Sequence, residues 1–193
     1  MKKIALLALF LLSSCMGVPE NVEIVDGVNA EQYLGTWYEI ARLDHSFERG
    51  LDNVTAQYAQ NADGSIKVIN RGYHREDKKW NEAIGKAYFI EKPNADKTYL
   101  GKLKVSFFGP FYGAYNIIAL DKVYYNYVMI CGPNKDYLWI LSRTPELSYP
   151  IKQELVSQAK ALGFATDKLI YVNQNPDIPD YDAGQHVIKK KSE

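Results

Sequence analysis

The stretch Val105-Ser106-Phe107-Phe108-Gly109-Pro110-Phe111-Tyr112-Gly113-Ala114-Tyr115 carries the unit from which the fold is read. A β-prone run reaches a Gly-Pro turn signal and continues as a second β-prone run, which is a strand, a tight connection and a strand. Outward from it the pattern repeats. Segments rich in Val, Ile, Tyr and Phe occupy 36 to 43, 53 to 60, 65 to 73, 82 to 91, 98 to 107, 112 to 120, 126 to 131 and 137 to 143. Between them lie turn-forming groups such as Asn61-Ala62-Asp63-Gly64, Lys92-Pro93-Asn94-Ala95-Asp96 and Gly132-Pro133-Asn134. Eight short antiparallel strands leave two bare edges unless the sheet closes, and closure at that number encloses room for one small ligand. On pattern alone a two-sheet sandwich remains open.

After the eighth strand the period changes. Ser148 and Pro150 suit a helix start, and Ile151, Leu155, Ala159 and Leu162 recur at helical spacing before Gly163. One helix packed outside the sheet is expected, followed by a short ninth strand within Lys168 to Val172. The segment from 173 to 193, with its prolines, acids and terminal lysines, reads as a disordered tail. The longest connection between strands, 44 to 52, is the natural flap over one end.

With 193 residues the chain suits one domain, assigned here to 31–172. Twenty-three basic residues against 23 acidic ones leave no footprint for nucleic acid, and removing Lys2 and Lys3 leaves 21 against 23. The abundant tyrosines, 15 in all, suit strands that face water or a wet cavity. Three histidines, His45, His74 and His186, have no ligand spacing, so neither metal nor cofactor is expected.

The start is a targeting segment. Met1-Lys2-Lys3 is cationic, Ile4 to Leu12 is an apolar run too short to span a bilayer, and Ser13-Ser14 are small, so 1–14 reads as a signal peptide. Leu12-Ser13-Ser14-Cys15 resembles the lipobox of bacterial lipoproteins, which implies acylation of Cys15 and a tether over 15–30. Each buried methylene of an acyl chain contributes about 0.8 kcal/mol, so two or three chains hold a protein at a membrane. Met16 is not the Asp of inner-membrane retention, and the resemblance therefore implies the outer membrane, facing the periplasm. With Cys15 acylated, the second cysteine, Cys131, has no disulfide partner.

Gly35-Thr36-Trp37-Tyr38 resembles the Gly-x-Trp signature of the lipocalin family, and Ile140-Leu141-Ser142-Arg143-Thr144-Pro145 matches the place where that family lays an Arg across the same Trp. Phe47-Glu48-Arg49-Gly50-Leu51, Gly85-Lys86-Ala87-Tyr88-Phe89 and Cys131-Gly132-Pro133 are similar, in order, to segments of bacterial outer-membrane lipocalins. One family signature departs: a Thr-Asp-Tyr turn is replaced by Leu120-Asp121-Lys122-Val123-Tyr124, which leaves the register of the seventh strand open by one residue.

The resemblance implies an all-β, eight-stranded antiparallel up-and-down barrel that carries or stores a fatty acid such as palmitate, a lysophospholipid or a similar lipid, without catalysis. Trp37 and Arg143 then close one end. Strand alternation carried from them turns Tyr137, Trp139 and Leu141 inward, and the family register does the same for Ala87, Phe89, Leu103, Val105, Phe107, Tyr115, Ile117 and Ala119. Tyr115 or Tyr137 is expected near the open mouth, donating to a headgroup. A homodimer is a further expectation of the resemblance. Two other readings compete: an enzyme acting on a lipid or isoprenoid, with Cys131 as nucleophile, and a structural envelope protein whose barrel is filled by its own side chains.

Overall fold

A computed structural model describes residues 16–178 and residue 181. The expected signal peptide, Cys15, His186 and the remainder of the tail lie outside the described residues. Eight strands run antiparallel to their neighbours: β1 (Gly35–Arg42), β2 (Leu51–Gln60), β3 (Ile66–His74), β4 (Lys79–Phe89), β5 (Lys102–Phe108), β6 (Phe111–Leu120), β7 (Tyr127–Cys131) and β8 (Leu138–Ser142). β1 pairs with β2 on one side and with β8 on the other, so the ring closes and the sandwich alternative falls. Closure satisfies the backbone donors and acceptors that an open sheet would leave at its edges.

A short helix, α1 (Ala30–Tyr33), precedes β1 and was not anticipated; Asn29 caps it by accepting from the Gln32 N–H. The expected helix after the barrel is α2 (Tyr149–Ala161), with Leu155 and Ala159 buried against the outer wall. Ser148 stands at its N-cap position without making a side-chain cap bond. The ninth strand, β9 (Ile170–Tyr171), pairs with Ala41 and Arg42 on the edge of β1 that β2 has left.

Two assignments at the chain ends need correction. Residues 19–29, within the segment 15–30 read as a tether, lie along the barrel, with Val22 and Val28 buried and Val28 bridged to Tyr99. The same pairing explains why β5 begins at Lys102 rather than at 98: Tyr99 and Gly101 bond to Val28 and Val25 instead. The tail read as disordered from 173 begins with fastened residues. Asn173 accepts from Asn53, Gln174 donates to the carbonyls of Glu39 and Val54, and Asn175 exchanges bonds with Asn53. They fill the gap that opens between β1 and β2.

Alternation sorts the apolar side chains into an inner cluster around Trp37, Leu103, Ile117 and Ile130, and an outer one between the wall and α2 around Met129, Cys131, Ile140 and Leu155. Register shifts break it in β1, β2, β5 and β6, and two of them re-aim residues that matter here. In β1 the register shifts between Glu39 and Ala41, so Ile40 and Ala41 both join the outer cluster. In β6 it shifts between Ile117 and Ala119, which turns Ala119 outward and Leu120 inward, correcting the placement of Ala119 in the cavity.

The departure from the family turn is also resolved. Asp121 accepts from the N–H groups of Val123, Tyr124 and Asn126, while Tyr125 turns inward and its hydroxyl accepts from the Asn29 N–H at 2.8 Å. Strand β7 then pairs Tyr127 with Ser142 and Cys131 with Leu138.

The end near α1 is sealed by Arg143. Its guanidinium carbon lies 3.8 Å from the Trp37 ring centroid, and its nitrogens donate to the carbonyls of Gln32, Thr36 and Tyr125. Gly35, at φ +97°, leaves room for it, because a Cβ there would come within 3.3 Å of the guanidinium. Trp37 donates its indole N–H to the Tyr33 carbonyl at 2.9 Å and is fully buried. Removing the guanidinium strips three carbonyls and the indole face of their partner, so Arg143→Ala is expected to lower stability by about 2 to 3 kcal/mol. Arg143→Lys should recover less than half of the loss, because an ammonium cannot span the three carbonyls. Urea unfolding followed by tryptophan fluorescence measures both, and an Arg143→Ala midpoint equal to that of the parent chain contradicts the seal.

Candidate ligand-binding site

Beyond the sealed end the inward positions carry small residues. Ala56, Ala87 and Gly113 face the interior on β2, β4 and β6, and a Cβ built on Gly113 meets no atom within 4 Å. The side chains therefore do not meet across the barrel, and a cavity of about 670 Å³ remains, open at the far end. That volume lies in the range of small-molecule pockets. It counts against a barrel filled by its own side chains.

Of the residues read as inward-facing, Ala87, Leu103, Val105, Phe107, Tyr115, Tyr137, Trp139 and Leu141 line this cavity. Phe89 and Ile117 point inward but belong to the packed closed end, where Phe89 stacks on Tyr99 at 4.2 Å and Ile117 is fully buried. Tyr115 is not at the mouth. Its hydroxyl sits on the cavity floor, 2.6 Å from that of Tyr33 and 3.0 Å from that of Tyr58. The expectation failed because α1, which brings Tyr33 over the floor, was not foreseen. Burial raises all three phenols, Tyr58 to about 12, so the floor is uncharged.

The mouth is aromatic. The loop between β1 and β2, where a flap was expected, brings His45 between Phe47 and Tyr137, with centroid distances of 5.3 and 4.7 Å and nearly parallel rings. Trp139 packs on the same imidazole at 4.8 Å. Burial, then the charge of Arg42, lowers the His45 pKa and favours the neutral ring. His74, at the end of β3, pairs with Asp77 at 3.2 Å.

One group of wall residues was missed. Glu39, Arg42 and Glu48 are buried together; the Arg42 guanidinium donates to Glu39 at 2.6 Å and to the Glu48 carbonyl at 2.7 Å, which pins the mouth loop. The Glu48 carboxylate accepts from the Trp139 indole at 2.9 Å. Both carboxyl groups border the cavity, and one guanidinium serves the two. Burial first, and the neighbouring Glu48 second, push Glu39 up to about 8; burial raises Glu48 as well. The wall thus retains a proton at neutral pH. Alternation from Trp37 places Glu39 inward, which was the available signal, whereas Arg42 turns inward only through the bulge in β1.

Cys131 faces away from the cavity. It is buried in the outer cluster, and burial pushes its thiol up to about 12, so it brings no thiolate to a ligand.

With this geometry in place, the comparisons are direct. Residues 28–174 match the model of the lipocalin-like domain. The outer membrane lipoprotein Blc of Citrobacter freundii is 51% identical over 172 residues, covering 88% of this chain and 94% of that one. Its namesake from Vibrio cholerae is 51% identical over 164 residues, covering 85% and 93%. Among solved structures, insecticyanin from the tobacco hornworm Manduca sexta superimposes with a TM-score of 0.66 at 22% identity, over 86% of this chain and 90% of that one, a likeness of fold. The chain belongs to the lipocalin family and is a lipid-anchored protein of the outer membrane.

Proposed function

We propose that the barrel takes up one fatty acid, lysophospholipid or similar single-chain lipid and carries or stores it at the envelope, without catalysis. The observation that carries this reading is the open apolar cavity of about 670 Å³ above a sealed floor. Its walls offer an acyl chain about 25 cal/mol for each Å² of apolar surface withdrawn from water. The headgroup lies at the mouth, where Tyr137 and the Glu39–Arg42–Glu48 group supply polar contacts. Acylation at Cys15 is part of the same proposal, as is pairing of two chains.

A titration with a fluorescent fatty acid is expected to saturate at one ligand per chain. Gly113→Trp aims an indole into open space and should weaken binding at least about tenfold, or 1.4 kcal/mol, while leaving the unfolding midpoint close to that of the parent chain. Unchanged binding by a folded Gly113→Trp chain defeats the reading.

The buried carboxyl at the mouth adds a pH dependence. Because the Glu39 pKa is raised to about 8, the group is neutral below that pH and gains its negative charge as pH rises through it. Affinity for an anionic fatty acid should therefore drop several-fold between pH 7 and pH 9, and Glu39→Gln should flatten the profile. An equally steep profile in Glu39→Gln assigns the effect elsewhere.

A further inference from the structure

The ladder between β1 and β2 is incomplete. It runs from the pair Gly35–Tyr58 to the pair Tyr38–Thr55 and stops; beyond it β1 pairs with β8 and β9, while a register shift between Asp52 and Thr55 bends β2. Farther toward the mouth the two strands are tied again from within. The buried Arg42 guanidinium donates to the carbonyls of Glu48 and Leu51 at 2.7 and 3.3 Å. Between these ties the wall has a window, with Glu39 and Ile40 on one side and Asn53 and Val54 on the other.

Asn173, Gln174 and Asn175 fill the window. The Val172 N–H donates to the Ile40 carbonyl at 3.0 Å, and the Asn53 N–H donates to the Asn173 carbonyl at 2.9 Å. One thickness of chain thus lies between the strands, which stand two strand spacings, roughly 10 Å, apart. The Gln174 amide bridges the opening, donating to the carbonyls of Glu39 and Val54 at 2.9 and 3.0 Å. Asn53, at φ +49°, exchanges side-chain bonds of 2.8 and 2.9 Å with the backbone of Asn175. On the inner side Glu39, Val54 and Thr55 border the ligand cavity. On the outer side Ile40, Leu147, Asn173 and Gln174 border a cleft of about 330 Å³ beside the start of α2. The strap 173–175 separates the two.

Its fastening is polar throughout. All three side chains are amides with no apolar body to bury, and β9, which holds the near end, is two residues long with both exposed. A segment held by hydrogen bonds at the surface, with few buried apolar contacts, opens at a lower free energy than the core around it. The frame does not need the strap, because the β1–β2 ladder on one side and Arg42 on the other remain in place. We propose that the window is a side portal and residues 173–175 its latch. Released, the strap joins cleft to cavity, and the tail of a single-chain lipid passes between β1 and β2 by a route separate from the aromatic mouth. An alkyl chain is no thicker than the backbone that vacates the space. The portal rests on the proposed lipid reading and adds to it a route of loading and release.

The test follows a fluorescent fatty acid, through energy transfer from tryptophan, as it enters and leaves the full chain reconstituted in vesicles of phosphatidylethanolamine and phosphatidylglycerol. Asn53→Gly tolerates the positive φ while removing the side-chain bonds to Asn175, and Gln174→Ala removes the bridge. Together they are expected to raise the rates of uptake and release alike, several-fold, with Kd close to that of the parent chain. The converse is a lock. Asn53→Cys with Asn175→Cys, oxidised to a disulfide, should slow both rates several-fold, and reduction should restore them; Cys131 is buried in the outer cluster and does not compete. Rates equal to the parent's in the unlatched and the locked chains overturn the portal, as does faster release without faster uptake, which marks an ordinary loss of affinity. A parent chain that takes up no probe refutes the lipid reading and the portal built on it, whereas a parent chain that binds the probe, with rates indifferent to both variants, refutes the portal alone.

Discussion

The stack of Arg143 on Trp37 is the constraint from which the remaining architecture follows. A ring of eight strands has two open ends, and a one-sided cup requires one of them to be shut. The guanidinium does this by joining the carbonyls of Gln32, Thr36 and Tyr125, which come from α1, β1 and the turn before β7, while covering the indole. Elements distant in sequence are thereby fixed at one level, and the phenols of Tyr33, Tyr58 and Tyr115 form a floor just above it. A cation over an aromatic face serves this purpose better than an apolar plug, because it also donates to the carbonyls around it and so ties their elements together.

Above the floor the chain leaves space where a packed protein would fill it. Interiors ordinarily reach crystal-like density, and a cavity forfeits the dispersion contacts that such packing provides. Here the small inward residues Ala56, Ala87 and Gly113 keep the walls apart, and in the proposed function an acyl chain restores the missing contacts. The cost in stability is the counterpart of a binding site. At the mouth the balance shifts toward polar groups, since Glu39, Glu48 and Arg42 are buried with one positive charge for two carboxyls. Burial of carboxyl groups without full compensation favours their neutral form, which suits the anionic ligand of the proposed function.

Much of this was legible in the sequence because both of its signals are local. The turn groups and apolar runs marked all eight strands, and Gly35, Trp37 and Arg143 identified the closed end. Alternation carried from Arg143 turned Leu141 inward and the family register did the same for Leu103, Val105 and Phe107, and all four border the cavity. That register failed at Ala119, where a bulge in β6 adds a residue that no composition signal marks. Tyr115 was placed inward correctly but at the wrong depth, because depth depends on α1, a four-residue helix too short to leave a periodic trace. The buried Glu39, Arg42 and Glu48 were passed over because charged residues are ordinarily solvent-exposed, and only the tertiary contact among them makes their burial tolerable. The pinning of Asn173 to Asn175 likewise depends on a gap between β1 and β2 that exists only in the folded sheet.

The central claim is that one lipid chain lies inside the barrel, between the tyrosine floor and the aromatic mouth. A crystal structure of the protein with a brominated fatty acid tests it most directly, through the anomalous signal of the halogen. The account predicts a single bromine peak within the cavity, beside Leu103, Val105 and Leu141. A bromine held on the outer wall or beneath α2, with the interior collapsed and bare of ligand, would contradict it.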